Sequence, residues 1–211
     1  MKRFRVILTV LASAVILALS SCKETKEFDD HANWQQRNTD YIESIAIRCD
    51  LNSQAYADIE SIPEGKLFKL LSFKLNPEKN FGSASYVYCE KLQTGNGTVS
   101  PQYTDSVRIN YRVRLMPTDN YPEGQVVDQS FKTSSLDPSV NIPASLSVNG
   151  LIDGVTTALM YMHCGDYWKL YIPYGLAYGT SGKGTIPGYS ALIFEVNLTE
   201  IAPAGEDLSP R

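Results

Sequence analysis

Residues 171–179 read YIPYGLAYG, followed by GTIPGY at 184–189 and a strand-like ALIFEVNL at 191–198. Aromatic and branched apolar side chains on a Gly- and Pro-rich loop between two strands build an apolar concave site rather than a set of acid–base groups. The titratable side chains point the same way. His31 and His163 are the two histidines, and no Cys-x-x-Cys spacing occurs. The clustering that a zinc site or a Cys–His nucleophile requires is absent, so neither metal nor cofactor is expected. Of the four cysteines, Cys22 belongs to an N-terminal signal, and Cys49, Cys89 and Cys164 remain. An odd number allows at most one disulfide within the chain, and Cys89 and Cys164 read as small buried hydrophobes.

The elements that must hold this loop follow from the hydrophobic periods. Val107, Ile109, Tyr111, Val113 and Leu115 alternate with Arg108, Asn110, Arg112 and Arg114. That is the pattern of a strand with one face on a core and one in water, with Tyr111 inward. Leu67–Leu75, 86–92 and 168–172 read as further strands, and 191–201 as the last. Residues 117–150 are rich in turn formers, broken by Val126-Val127-Asp128. From Ile152 to Met162, Val155, Ala158, Leu159 and Met162 fall on one side of a single short helix that stops near Gly165. Trp34, Tyr41, Ile45 and Cys49 recur at helical spacing between residues 32 and 57, and Asp29 and Asp30 precede them as caps. This amphipathic face either covers the main domain or serves as a dimerisation or client-binding arm. One helix laid on a sheet of about five strands is an α+β arrangement.

The two ends carry other information. In a chain of 211 residues with net charge −4, positive charge is concentrated only at Lys2, Arg3 and Arg5, so no nucleic-acid partner is expected. The apolar run 6–19 is too short for a spanning helix and reads as a secretory signal. It ends in LSSC, which resembles the lipobox of bacterial lipoproteins. That resemblance implies cleavage after residue 21 and a lipidated Cys22 holding a soluble body at a membrane. An ordinary signal peptide with a coincident cysteine is the alternative. The domains are then a signal peptide (1–21), a lipidated tether (22–30), a helical extension with a linking strand (31–85), a compact domain (86–203) and a disordered tail (204–211). Asp105-Ser106-Val107 resembles the O-glycosylation sequence of Bacteroides-type bacteria, and a strand-entry cap is the plainer reading.

Taken in order, VRINY at 107–111, Val127-Asp128, LIDG at 151–154, MHCGD at 162–166, IPYGLAYG at 172–179, Ile186-Pro187 and LIFEV at 192–196 carry a resemblance to a known family. The chain resembles the FKBP-type peptidyl-prolyl cis-trans isomerases over about residues 86–201, and with its LSSC signal resembles their lipid-anchored forms in Bacteroidetes-like bacteria. The resemblance implies a bent antiparallel half-barrel of about five strands wrapping one short helix, here with an N-terminal helical extension. It implies an isomerase that assists the folding of exported, proline-containing polypeptides in the cell envelope. The anchor at Cys22 is expected on the outer membrane, facing the periplasm or the surface, with the N-terminal helix as a candidate dimer contact. Position by position, the resemblance assigns catalysis to Tyr111, Asp128, Ile152, Tyr178 and Phe194, and substrate binding to Val127, Leu151, Val155 and Ile186. Two positions depart from the family pattern: Val155 stands where the best-known members have Trp as pocket floor, and Val127 where Phe often precedes the Asp. A smaller floor deepens the pocket and loosens contact with proline. The alternative is a folding chaperone or binding module with the same groove and weak or no isomerase activity.

Overall fold

The computed structural model describes residues 29–51, 58–137 and 140–210. The expected signal peptide, Cys22 and most of the tether lie outside the described residues. Helix α1 (Trp34–Leu51) is followed by β1 (Leu67–Leu71), β2 (Tyr86–Gln93), β3 (Ser106–Leu115), β4 (Val126–Gln129) and β5 (Ala144–Ser147). Helix α2 (Asp153–Leu159), β6 (Tyr167–Ile172) and β7 (Leu192–Ala202) complete the chain. The seven strands form one antiparallel sheet in the order β1-β2-β6-β7-β3-β4, with β5 sharing the outer edge of β3 with β4. The half-barrel expected from sequence is therefore extended by β1 on one edge, and the turn-rich stretch on the other supplies two four-residue strands.

The period of two sorts the side chains cleanly. Val107, Ile109 and Val113 of β3, Trp168 and Leu170 of β6, and Phe194 and Val196 of β7 face inward with α2. In α2 every residue from Gly154 to Leu159 is buried, so the helix is enclosed rather than amphipathic. The other face of the sheet is covered as well, and here the sequence expectation fails. Arg112 and Asn110, read as facing water, are 5% and 2% exposed. Asn110 is buried against Asn197, its Nδ2 donating to Asn197 Oδ1 at 3.3 Å, while Phe131 and the loop after β4 close over Arg112, whose guanidinium lies 4.5 Å from the Phe131 ring centroid. It donates to the Ser134 carbonyl at 2.7 Å and to Gln129 Oε1 at 3.0 Å. Polar residues on a period-two strand mark the outer face, but not whether a later loop will cover it.

Helix α1 lies on that outer face. Ile42, Ile45, Ala46 and Cys49 pack against Tyr88, Tyr171, Ala191 and Ile193. The apolar stripe that suggested an interaction arm is thus used within the chain, and the helix leaves Ile47 and Leu51 outward. Asn38, polar and yet buried, accepts the Ala191 N–H at 2.8 Å, and Trp34 Nε1 donates to Ser190 Oγ at 2.9 Å. The helix therefore pins the entry to β7, just after the Gly-rich loop that follows β6. Residues 204–210, expected to be disordered, are tied back to the sheet: the Ser209 N–H donates to Glu200 Oε1 at 2.6 Å, and Arg108 donates to the Ser209 carbonyl. Asp105 also fixes the end of β7 by accepting the Ala204 N–H at 3.2 Å. Among the described residues no helix is long and apolar enough to cross a membrane.

Gly154 sets how closely α2 approaches the sheet. A Cβ there would stand 2.4 Å from Ile172 Cγ2, and two further carbons of that fully buried side chain lie at 3.1 Å. Alanine at a helical position ordinarily stabilises by about 0.5–1 kcal/mol. Overpacking a rigid core costs about 1–3 kcal/mol, so the clash wins. Gly154→Ala is expected to lower Tm by about 2–6 °C, taking about 2–4 °C per kcal/mol for a chain of this size. Thermal unfolding followed by circular dichroism checks this; an unchanged or raised Tm would show that Ile172 yields at no cost.

Candidate active site

A cavity of about 300 Å³ opens between the first turn of α2 and the inner faces of β3 and β7. From β3 come Ile109 and Tyr111, from β7 Phe194, from β4 Asp128 and from β5 Leu146; Leu151, Ile152 and Val155 approach from the helix start, and Tyr178 and Lys183 from the Gly-rich loop. Register explains the meeting of the two rings. Val113 pairs with Phe194 and Tyr111 with Val196, which makes Tyr111 and Phe194 diagonal neighbours on one face. Their centroids are 6.3 Å apart.

Strand β4 brings the carboxylate. Ser130 clamps Tyr111 from both sides, its N–H donating to the Tyr111 carbonyl and its Oγ accepting the Tyr111 N–H, each at 2.9 Å. With β4 so placed, the Tyr111 hydroxyl donates to Asp128 Oδ2 at 3.1 Å. Burial, and then the Asp128 charge, push the Tyr111 phenol up to about 12. Burial raises Tyr178 too, with a smaller push from Asp128. Both are therefore neutral donors at physiological pH. The Tyr111 proton is spent on Asp128, whereas the Tyr178 hydroxyl has no partner among the described residues, and neither has the Ile152 N–H ahead of α2. Free donors are what a helix start provides. Two unspent donors over apolar walls suit a ligand that is mostly hydrocarbon and carries a carbonyl oxygen.

Of the residues singled out from sequence, Tyr111, Asp128, Leu151, Ile152, Val155, Tyr178 and Phe194 share this cavity. Val127 and Ile186 do not line it. Val127 is half-buried and packs against the main core. Ile186, 9% exposed, exchanges backbone hydrogen bonds with Lys183 across a tight turn, and this turn presents Lys183 rather than Ile186 to the cavity. Gly182, at φ +71°, lets the turn close: a Cβ there would stand 2.2 Å from the Ile186 carbonyl oxygen. Sequence reasoning did not single out Ile109, Leu146, Gly150 or Lys183. Ile109 was findable, since it shares the inner face of β3 with Tyr111 two residues away. Lys183 sits in a run of glycines and small polar residues whose direction only the folded turn decides; its Nζ lies 5.2 Å from the Tyr178 ring centroid. Cys49, Cys89 and Cys164 are all free thiols. No group of His, Cys, Asp and Glu among the described residues could hold a metal ion.

Titration of the phenols gives a direct test of this packing. Tyr167, beside Glu195, is pushed up to about 12 by burial and that charge, and burial raises Tyr41 and Tyr88 further. Because the folded-state values lie above the ordinary phenol value of about 10, the folded chain holds protons that the unfolded chain has released. The stability these groups contribute is complete below about pH 10 and is lost as pH rises through the folded-state values. Ultraviolet titration of tyrosinate is expected to show a fraction of the tyrosines resisting ionisation until the chain unfolds near pH 12. A single smooth transition centred near pH 10 in the folded protein would contradict the burial described above.

Residues 97–199 match the family described as FKBP-type peptidyl-prolyl cis-trans isomerase. A macrophage infectivity potentiator of Trypanosoma cruzi is 29% identical over 178 residues, covering 84% of this chain and 74% of that protein. An FKBP-type 22 kDa peptidyl-prolyl cis-trans isomerase of Escherichia coli (strain K12) is 40% identical over 111 residues, which are 52% of this chain and 47% of that protein. The chain thus spans about half the length of this second relative. The crystal structure of FkpA from Escherichia coli shares the fold at a TM-score of 0.51 and 22% identity, over 94% of this chain and 72% of that one.

Proposed function

The chain belongs to the FKBP-type peptidyl-prolyl cis-trans isomerases through residues 97–199, and on that premise we propose that it accelerates the cis–trans interconversion of X–Pro bonds in exported polypeptides. The observation that carries the reading is the single cavity that gathers Tyr111, Asp128, Ile152, Tyr178 and Phe194. Rotation about an X–Pro bond breaks amide resonance, and the barrier for a peptide bond is about 18–20 kcal/mol. The twisted amide has lost charge separation and is less polar than the planar one. An apolar pocket that excludes water therefore favours it over the ground state, which is the condition for catalysis without a covalent step. Ile109, Val155 and Phe194 supply apolar surface, while the Ile152 N–H and Tyr178 hydroxyl would hold substrate carbonyl oxygens. Asp128 holds Tyr111 in place at the rim.

The LSSC motif supports a lipid anchor at Cys22 and hence an envelope location, with the outer membrane as the expected host. A dimer through α1 would have to use its outward side, at Ile47 and Leu51. The test of the activity is a protease-coupled isomerisation assay on the chain from Lys23 onward, with Tyr178→Phe as a control. Catalysis well above that of the control is expected; a rate no higher than that of the control would overturn the reading. Suppression of client aggregation by a chain without isomerase activity would instead identify a binding module.

A further inference from the structure

Among the described residues, Lys183 is the one cation that lines the candidate active site, and Asp128 the one anion. The Gly-rich loop fixes where this cation stands. Lys183 and Ile186 exchange backbone hydrogen bonds at 2.9 Å each, and the Gly182 N–H donates to the Tyr178 carbonyl at 3.1 Å. Gly182 and Gly184 flank Lys183 at φ +71° and +58°, values that favour glycine and turn the chain sharply on both sides of it. Below this tip the Tyr189 N–H closes the loop on the Gly179 carbonyl at 2.9 Å. One closed segment therefore carries both Tyr178 and Lys183, and the Lys183 ammonium lies 5.2 Å from the Tyr178 ring centroid. Contact with the ring restrains a long side chain without neutralising it. The residue is exposed, and no carboxylate among the described residues pairs with it.

Resting on the reading that this cavity takes an X–Pro segment, we infer that Lys183 selects among such segments, favouring those with an acidic side chain on a residue that flanks the proline. The Tyr178 hydroxyl would hold a substrate carbonyl oxygen, so the side chain of the residue that supplies it, or of its neighbour, emerges beside the ammonium. A carboxylate there gains an ion pair, an amide gains none, and a second ammonium is repelled. Asp128 confines the preference to one flank. Its Oδ2 takes the Tyr111 hydroxyl at 3.1 Å and no ion pair joins it to Lys183, so the two charges stand apart. An acidic side chain directed toward β4 meets repulsion instead. Because Lys183 is exposed, the preference has the size of a surface ion pair, about two- to fivefold in kcat/KM.

The test uses short prolyl peptides that carry Glu, Gln or Lys before the proline in one set and after it in another. With the full chain, isomerisation is followed by exchange spectroscopy and affinity by the shift of the Ile152 amide signal in nitrogen-15-labelled protein. In one set Glu is expected to exceed Gln, and Gln to exceed Lys, by about two- to fivefold at each step at low salt. Sodium chloride at about 1 M should level the series, since the screening length falls to about 3 Å. Lys183→Met is expected to level it at any salt, and Lys183→Glu to invert it. Ratios between peptides cancel any change that a variant makes to the overall rate or to the fraction folded. Charge-ordered affinities without faster exchange on any peptide would overturn the isomerase reading and uphold the preference. Equal rates and affinities across both sets, or an order that persists in Lys183→Met, would overturn the preference whatever the rate.

Discussion

Asp128→Ala is expected to lower kcat/KM toward prolyl peptides about ten- to a hundredfold while leaving the thermal stability nearly unchanged. The side chain is exposed on a four-residue strand at the sheet edge, where truncation has little to unpack. Among the described residues its one side-chain partner is the Tyr111 hydroxyl, at 3.1 Å. A hydrogen bond to a charged group contributes about 1.5–3 kcal/mol, and each 1.36 kcal/mol of lost transition-state stabilisation is tenfold in rate. The loss comes through Tyr111: freed from the carboxylate, its ring no longer has a fixed position beside Phe194, and its hydroxyl turns to water that the pocket should exclude. Tyr111→Phe is expected to cost a similar factor, and the double variant little more than either alone, because the two residues act as one unit. Asp128→Asn separates geometry from charge, since it can still accept the hydrogen bond. Effects that multiply in the double variant, or an Asp128→Ala rate within twofold of the parent, would remove the pair from the catalytic machinery.

Much of this site was legible because it rests on two simple periods. The alternation along β3 places Tyr111 inward, and the helix start after Leu151 places the Ile152 N–H where no turn can use it. What stayed hidden was set by contacts between parts distant in sequence. Asn38 reads as a surface residue of α1, yet it holds Ala191 across 153 positions of sequence. Arg112 reads as solvated and is sealed by Phe131, because nothing in a strand's own pattern records which loop will fold over its outer face. Ile186 and Lys183 exchanged places for a similar reason: glycines at positive φ turn the loop tip, and the direction of that turn is a property of the closed backbone. The one-sided helix read from Val155, Ala158, Leu159 and Met162 is in fact surrounded, since Thr156 and Thr157 are buried by spending their hydroxyls on the Val148 and Asp153 carbonyls. Hydropathy registers the hydroxyl and not the bond that satisfies it.

The N-terminal helix and the end of the Gly-rich loop are linked by these hidden contacts. Trp34 and Asn38 grip Ser190 and Ala191 at the start of β7, and Phe194 follows three residues later. The extension is thus a brace for one wall of the cavity as well as a cover for the outer face.

Phe194 is where that wall should matter most. Replacing it by alanine is expected to destabilise the fold by about 3–5 kcal/mol, the usual cost of emptying a buried aromatic position. The ring is 7% exposed, and Phe194 pairs with both Val113 and Leu170 at the centre of the sheet. Total stabilities are about 5–15 kcal/mol, so the variant should fold at low temperature and can be assayed there. Its kcat/KM is expected to fall by ten- to a hundredfold or more, since about 1.5–3 kcal/mol of apolar contact is removed from the substrate side of the cavity. The partition of that loss is the informative part. If the pocket acts by preferring the less polar twisted amide, water admitted beside Tyr111 penalises the transition state more than the bound ground state, and the loss appears in kcat. Phe194→Leu keeps the site apolar and should retain most of kcat. A folded Phe194→Ala chain with the parent kcat and only a raised KM would show that the ring binds substrate without favouring rotation, and an unchanged kcat/KM would place the reaction elsewhere on the molecule.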